Sequence, residues 1–206
     1  MRVVYKAFSP GFVCRGVAFK PPGEVNVTPS ANCVRNGWHT AENPADCLSY
    51  YPDITKSWYC LVAIGGDVDE DASDTKIAAT ELTILKRLTL PEYFLHVLVY
   101  MAKHADEYHP IARQGRAEAA NGYVVVKGRN PYAKGQEGDI LAMAREGEDG
   151  RIEQIAVFVV GTDGVPAGVY VDIDGNIEEE KACKKAKKRA SNLTVCPRSR
   201  SASSSK

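Results

Sequence analysis

One stretch of this chain carries a sustained helical period, and it stands among segments written in the period of a strand. In "PEYFLHVLVYMAKHADEYH" the residues Tyr93, Val97, Tyr100, Met101 and His104 recur at helix spacing behind Pro91, a favoured first-turn residue. The segments before it read differently. "RVVYKAF" is a β-branched and aromatic run closed by Ser9-Pro10-Gly11, hence a strand and a turn. "PPGEVNVTPS" is loop with a short edge strand, because its prolines would interrupt a central ladder. "NGWHTA" predicts a brief strand, "SWYCLVAIGG" a long buried one and "TKIAATELTILKRL" another, with "DVDEDASD" an acidic loop between the last two. In "ENPADCLSYYP" Asn43 can cap a short helix with Pro44 in its first position, and Pro52 follows its end.

Beyond the helix, Gly115, Gly122, Gly128 and Gly135 recur at spacings of seven, six and seven. Short strands between them predict either the stacked turns of a small β-roll or a chain of tight hairpins. "DILAMARE", "GRIEQIAVFVVG" and "AGVYVDIDG" continue as strands joined by glycine turns. The expected class is therefore α+β and mostly β. It comprises an N-terminal β-rich domain with a short helix (1–90), a central helix (91–109), a glycine-punctuated β-rich part (110–178) and a disordered basic low-complexity tail (179–206). Phe8, Phe12, Val62, Ile64, Ile77, Leu82, Val97, Leu98, Val125, Ile140, Val157, Val159 and Tyr170 are the expected core.

A chain of 206 residues can bury a real core. Its formal net charge of zero hides an asymmetry. Nine basic residues against two acids follow position 178, which leaves 17 basic and 24 acidic residues in 1–178, a net of −7. An acidic body disfavours nucleic acid as its partner, while the run Lys181 to Arg189 could bind nucleic acid by charge alone. No apolar run approaches the roughly 20 residues that span a bilayer, and the N-terminus lacks the apolar core of a signal peptide. The expected location is thus the cytoplasm, with Cys14, Cys33, Cys47, Cys60, Cys183 and Cys196 as free thiols.

"CVRNGWHTAENPADCLSYYP" concentrates the reactive side chains. Cys33, His39 and Cys47, with Cys14, could ligate zinc, but C-x5-H and H-x7-C are not knuckle spacings, so no metal is expected. A Cys33–His39 or Cys47–His39 nucleophile would need Asp46 or Glu42 to orient it, and no glycine elbow surrounds either cysteine. His96 and His104, eight apart, share a helix face, where a third ligand such as His109 or Asp106 would be required. The alternative is structural: Trp38, Tyr50 and Tyr51 as core aromatics, Cys47 as a small apolar residue and His39 bonded to a backbone carbonyl.

Two resemblances follow from the quoted stretches. "VYKAFSPGFVCRGVAF", then "CVRNGWHTAENPADCLSYYP", "DTKIAATELTI" and "YAKGQEGDILAMAREGEDGRI" leading to "AGVYVDIDGNIEE", resemble an uncharacterised family of tailed bacteriophages and prophages over residues 1 to 178. That resemblance implies a phage setting and no established reaction. "VVYKAF" followed by "GWHTAENPADCLSYYP" is also similar in layout to ADP-ribosyltransferases. This second likeness implies NAD as cofactor, Lys6 gripping it, His39 with Thr40 as the polar cluster, Tyr50 or Tyr51 stacking on the ring, and Glu81 as the carboxylate for a cationic sugar. Lys6 stands where that family carries Arg or His, and Glu81 lacks a second acid two positions before it.

Three functions are therefore expected in order. The first is a phage accessory protein in the host cytoplasm whose acidic body binds a host or phage protein without chemistry or cofactor. The second is an ADP-ribosyltransferase-like enzyme. The third is a virion component assembling through Gly115 to Gly138.

Overall fold

The computed structural model describes residues 1–71 and 75–178. The basic tail from 179, with Cys183 and Cys196, and the centre of the acidic loop lie outside the described residues. The elements run β1 (Arg2–Phe8), β2 (Val13–Cys14), β3 (Val17–Ala18), β4 (Val25–Val27), β5 (Trp38–Ala41), α1 (Asp46–Tyr50), β6 (Trp58–Glu70), β7 (Lys76–Arg87) and α2 (Leu90–Lys103). After the helix come β8 (Ala112–Glu118), β9 (Tyr123–Lys134), β10 (Ile140–Glu146), β11 (Ile152–Val159) and β12 (Val171–Asp172). The class is α+β and mostly β, as the periodicities predict.

Period-two alternation builds the first layer. On β1, Val4 and Phe8 face one cluster while Tyr5 and Ala7 face another. On β6, Cys60, Val62 and Ile64 join the first cluster and Tyr59 and Leu61 the second. The sheet order is β4-β7-β5-β1-β6, and β7 also pairs with β6, so β7, β5, β1 and β6 close into a ring. Closure removes edges that would otherwise expose unpaired backbone. Inside it lie Val4, Phe8, Phe19, Val62, Ile64, Ile77, Leu82 and Ile84.

Closure depends on β6 and β7 staying paired along their length, which needs a bulge. The register jumps from Gly65↔Glu81 to Val68↔Ala79. Gly66 takes φ +68° there, and the Asp67 N–H bonds the Thr80 hydroxyl at 2.8 Å. The inward set on β7 changes parity across the same point, from Ile77 and Ala79 to Leu82 and Ile84.

The helix α2 starts with a capping box: the Thr89 hydroxyl accepts from the Glu92 N–H, and the Glu92 carboxylate accepts from the Thr89 N–H. It ends at Lys103, six residues earlier than expected, and His104 to His109 form turns. Its buried face, Tyr93, Phe94, Val97, Leu98 and Met101, belongs to a cluster that also holds Ala7, Leu48, Tyr59, Val125, Ile140 and Ala142. The N-terminal ring and the C-terminal strands thus share one core through this helix. Complete burial of such a side chain contributes about 1.5–3 kcal/mol.

The C-terminal strands settle the choice between roll and hairpins in favour of stacked turns over β8 to β10. β8 pairs with β9, and β9 with β10, in parallel: Ala112 faces Val125 and Ile140 faces Tyr123. The coil turns where Gly115 (φ +70°) lies against Gly128 (φ +147°); a Cβ on Gly128 would stand 3.3 Å from the Gly115 nitrogen. β10 and β11 then form the antiparallel pair expected around Glu148-Asp149-Gly150.

Other expectations need correction. α1 begins at Asp46 with Ala45 in the cap position, not at Asn43. The Asn43 side chain instead accepts the Ala45 N–H at 3.0 Å, making a turn before the helix. Val68 to Glu70 are strand rather than loop, because they pair with Ile77 to Ala79. Only Val171–Asp172 of "AGVYVDIDG" is strand. Phe12, Val157, Val159 and Tyr170 are half-buried rather than core.

Gly66 offers a test of the closed ring. A Cβ there would stand 2.1 Å from the Thr80 hydroxyl oxygen, in a backbone region costly for any side chain. Gly66→Ala should lose about 1–3 kcal/mol of stability in urea denaturation. A loss below about 0.5 kcal/mol, within the usual range for surface changes, would show that the bulge is not what holds β6 on β7.

Candidate functional site

Between β1 and β5 the ladder amounts to a single pair, Tyr5↔Ala41. Past that pair the strands part, and the opening is the mouth of a cavity of about 630 Å³. This size falls in the range of small-molecule sites, and barrel mouths are a usual place for them. The cavity is walled by β1 from Tyr5 to Ala7, by the β2–β3 hairpin, by the Cys33–Gly37 loop, by β5, and by α1 with Tyr50 and Tyr51.

Lys6 shares the inward face of β1 with Val4 and Phe8. Its ammonium donates to the His39 carbonyl at 2.6 Å, across the gap where the two strands separate. Phe8 and Phe19 flank it, with ring centres 5.5 and 5.4 Å away. The Cys14 side chain lies close enough to the same amine to act on its charge. Among the described residues no carboxylate forms an ion pair with Lys6. Burial therefore lowers its pKa, only partly offset by the Cys14 and Cys47 thiols.

The neighbouring groups are fixed by backbone and by thiols. The Thr40 hydroxyl donates to the Ile77 carbonyl at 3.1 Å. His39 is half-buried, with Nε2 3.3 Å from the Asn32 carbonyl oxygen. Burial lowers its pKa, and the positive charges of Lys6 and Lys76 act in the same direction. The Tyr51 hydroxyl donates to the Cys14 sulfur at 3.2 Å, and burial raises its pKa. Cys47 is fully buried and its thiol is pushed up to about 12. Tyr50 is exposed at the rim.

α1 is too short to hold its own position. It is pinned from below: the Tyr93 hydroxyl donates to the Pro44 carbonyl and the Tyr59 hydroxyl to the Tyr51 carbonyl, both at 2.5 Å. The two tyrosine rings stack at 4.0 Å. The shared core thus sets the height of the cavity wall.

Lys6, His39, Thr40, Tyr50 and Tyr51 all line this one cavity. Glu81 does not. It lies further along β7, opposite Gly65 and Val27, with its side chain exposed. The parity change at Thr80 and Glu81 separates it from the stretch Lys76 to Ala79 that pairs with β5. Among the described residues the carboxylate that lines the cavity is Asp46, which accepts a hydrogen bond from the Thr75 hydroxyl.

Cys14, Cys33, Cys47 and His39 also border the cavity, but among the described residues no three His, Cys, Asp or Glu side chains converge as metal ligands. The Cys33 thiol donates to the Asp69 carbonyl at 2.8 Å, an internal partner of the kind a structural cysteine takes. His96, on α2, bonds Tyr5 through Nδ1 at 2.9 Å, whereas His104 lies past the last helical residue and bonds Glu107. Cys14, Cys33, Cys47 and Cys60 are free, as expected.

Sequence reading missed the cations. Arg15 sits at the tip of the β2–β3 hairpin, and Arg15 and Gly16 both take positive φ, +50° and +81°, as a two-residue primed turn requires. The signal was present in "VCRGV" as a Gly-containing dipeptide between β-formers. Arg35 and Lys76 also line the cavity, and nothing in their local sequence marked them.

Residues 2–96 match the model of domain of unknown function DUF7666. The described residues that line the cavity, from Tyr5 to Lys76, lie inside the matched segment, which ends within α2. No curated protein and no solved structure matches the chain. No helix among the described residues is long and apolar enough to cross a membrane.

The burial of Lys6 predicts a pH dependence. An amine with a lower pKa folded than unfolded binds fewer protons in the native state, so its contribution to stability rises with pH up to the unfolded value of about 10.4. Between about pH 7 and about pH 10 the stability difference between wild type and Lys6→Met, measured by urea denaturation, should therefore move toward wild type. A difference that stays flat would mean that Lys6 titrates normally.

Proposed function

We propose that the barrel-mouth cavity of the DUF7666 segment binds a small organic anion with a flat ring, with nucleotides as the first class to consider. The observation that carries this is a local reversal of charge. Residues 1–178 hold a surplus of acids, yet among the described residues the cavity is lined by Arg15, Arg35 and Lys76, with the Lys6 amine beside them, against Asp46. Lys76 also reaches Asp71 at 3.5 Å. A concave site lined by one sign of charge raises the local concentration of the opposite ion. Trp38, Tyr50 and Tyr51 supply ring faces beside these cations.

This reading keeps one half of the likeness to ADP-ribosyltransferases and sets the other aside. Five of the residues that the likeness names line one cavity, which supports a nucleotide such as NAD as ligand. ADP-ribosyl transfer needs a carboxylate beside the cationic sugar, and Glu81 lies outside the cavity. Binding without transfer is the better supported role. A second reading rests on the acid surplus itself: outside the cavity, the body would meet a basic surface on a host or phage protein.

Thermal unfolding separates these readings. NAD at a hundred times its Kd should stabilise by about 2.7 kcal/mol and raise the midpoint by several degrees. Adenosine, which offers a ring without phosphate, should do less, and the Arg15→Ala/Arg35→Ala double variant should lose most of the NAD effect. No shift with NAD or AMP would remove the nucleotide reading. An equal shift in the double variant would show that these cations do not hold the ligand.

A further inference from the structure

Lys6 is an unusual group to find on the wall of a ligand cavity. A lysine that merely anchors a phosphate keeps its charge in contact with water or a carboxylate. This one is buried between two phenylalanine rings, without an acidic partner among the described residues, and it donates to a neutral backbone carbonyl. Burial without an acidic partner makes the amine easier to deprotonate than that of an exposed lysine, and a neutral amine is a nucleophile. Donating an N–H to the His39 carbonyl leaves the nitrogen lone pair available to an incoming carbon.

Two further features complete a reaction site. The Cys14 thiol lies near the amine and accepts from the Tyr51 hydroxyl at 3.2 Å, so the two form a pair able to pass a proton toward it. Arg15 and Arg35 border the same cavity and are suited to a phosphate or carboxylate, while Trp38, Tyr50 and Tyr51 offer faces to a ring.

We propose that Lys6 captures the carbonyl group of a small anionic aldehyde or ketone in this cavity as a reversible imine. The proposal rests on the cavity being an anion site and adds a covalent step to it. The Lys6 nitrogen lone pair forms a bond to the carbonyl carbon while the carbonyl π electrons move to oxygen. That oxygen takes up a proton and the nitrogen gives one up, which leaves a neutral carbinolamine. The hydroxyl group then departs with a second proton as one water molecule while the nitrogen lone pair forms the C=N bond, and the nitrogen gives up its remaining proton to leave a neutral imine. The Tyr51–Cys14 pair supplies and recovers these protons, so no oxidant or reductant is consumed. The depressed pKa of Lys6 keeps a larger fraction of the amine neutral near neutral pH than an ordinary lysine would have.

The test uses pyridoxal 5′-phosphate, which carries a ring, a phosphate and an aldehyde, and pyridoxine 5′-phosphate, which has an alcohol in place of the aldehyde. The full chain is incubated with a low equivalent of the aldehyde, reduced with borohydride, and mapped by peptide mass spectrometry. Label concentrated on Lys6 at several times the yield of any other lysine, and lost in Lys6→Met, is the expected result. Label spread evenly over surface lysines, or confined to the N-terminal amine, would overturn the proposal. Mapping on the wild-type chain decides this even where Lys6→Met folds poorly. Pyridoxine 5′-phosphate reports on the anion site alone. A thermal shift with it, but no Lys6 label with the aldehyde, defeats the imine and leaves the binding reading standing. If it produces no shift and Lys6 is not labelled, both fail.

Discussion

The bond from the Lys6 ammonium to the His39 carbonyl is the contact around which the N-terminal domain is arranged. Two antiparallel strands that share a ring would normally zip together along their length. Here β1 and β5 meet at one residue pair and then part. A parted ladder leaves buried carbonyls without partners, and each such group costs about 1–3 kcal/mol. Lys6 answers one of them with a side chain instead of a neighbouring strand, so the gap persists as a cavity rather than collapsing. The same solution places a desolvated amine on the cavity wall. A structural requirement and a chemical opportunity therefore fall on one nitrogen.

The rest of the molecule reads as support for that gap. α2 presents Tyr93 upward to the Pro44 carbonyl, Tyr93 stacks on Tyr59, and Tyr59 reaches the Tyr51 carbonyl. These contacts fix both flanks of α1 and so fix where Tyr50 and Tyr51 stand. The coiled strands β8 to β10 fill the other side of the same core through Val125, Ile140 and Ala142. On this view the C-terminal part serves the cavity by holding α2 in place, although none of its described residues lines the opening.

Much of this was legible beforehand, and the gaps have physical reasons. Strands β1, β6 and β7 announce themselves through β-branched and aromatic runs, and α2 through its period. The stretch around Gly37-Trp38-His39 stands out by composition, and Lys6, His39, Thr40, Tyr50 and Tyr51 meet in one cavity. Glu81 was assigned by layout, and layout is blind to a bulge: the parity change beside Gly66 turns that carboxylate away. Arg15, Arg35 and Lys76 were missed because charged residues in loops and at strand ends look alike until the fold gathers them. The choice between roll and hairpins stayed open because glycine spacing reports where a chain bends, and only strand direction tells which way it returns.

Lys6 is where these threads can be tested together. The pH titration of its side chain, followed through the Cε and Nζ signals by NMR in the folded protein, measures directly whether burial has made the amine easier to deprotonate. A midpoint clearly below the ordinary lysine value of about 10.4 is the result that a desolvated amine bonded to a carbonyl requires. A midpoint at or above that value would contradict it, and would place a water or a carboxylate beside Lys6 where the structure has phenylalanine rings and thiols.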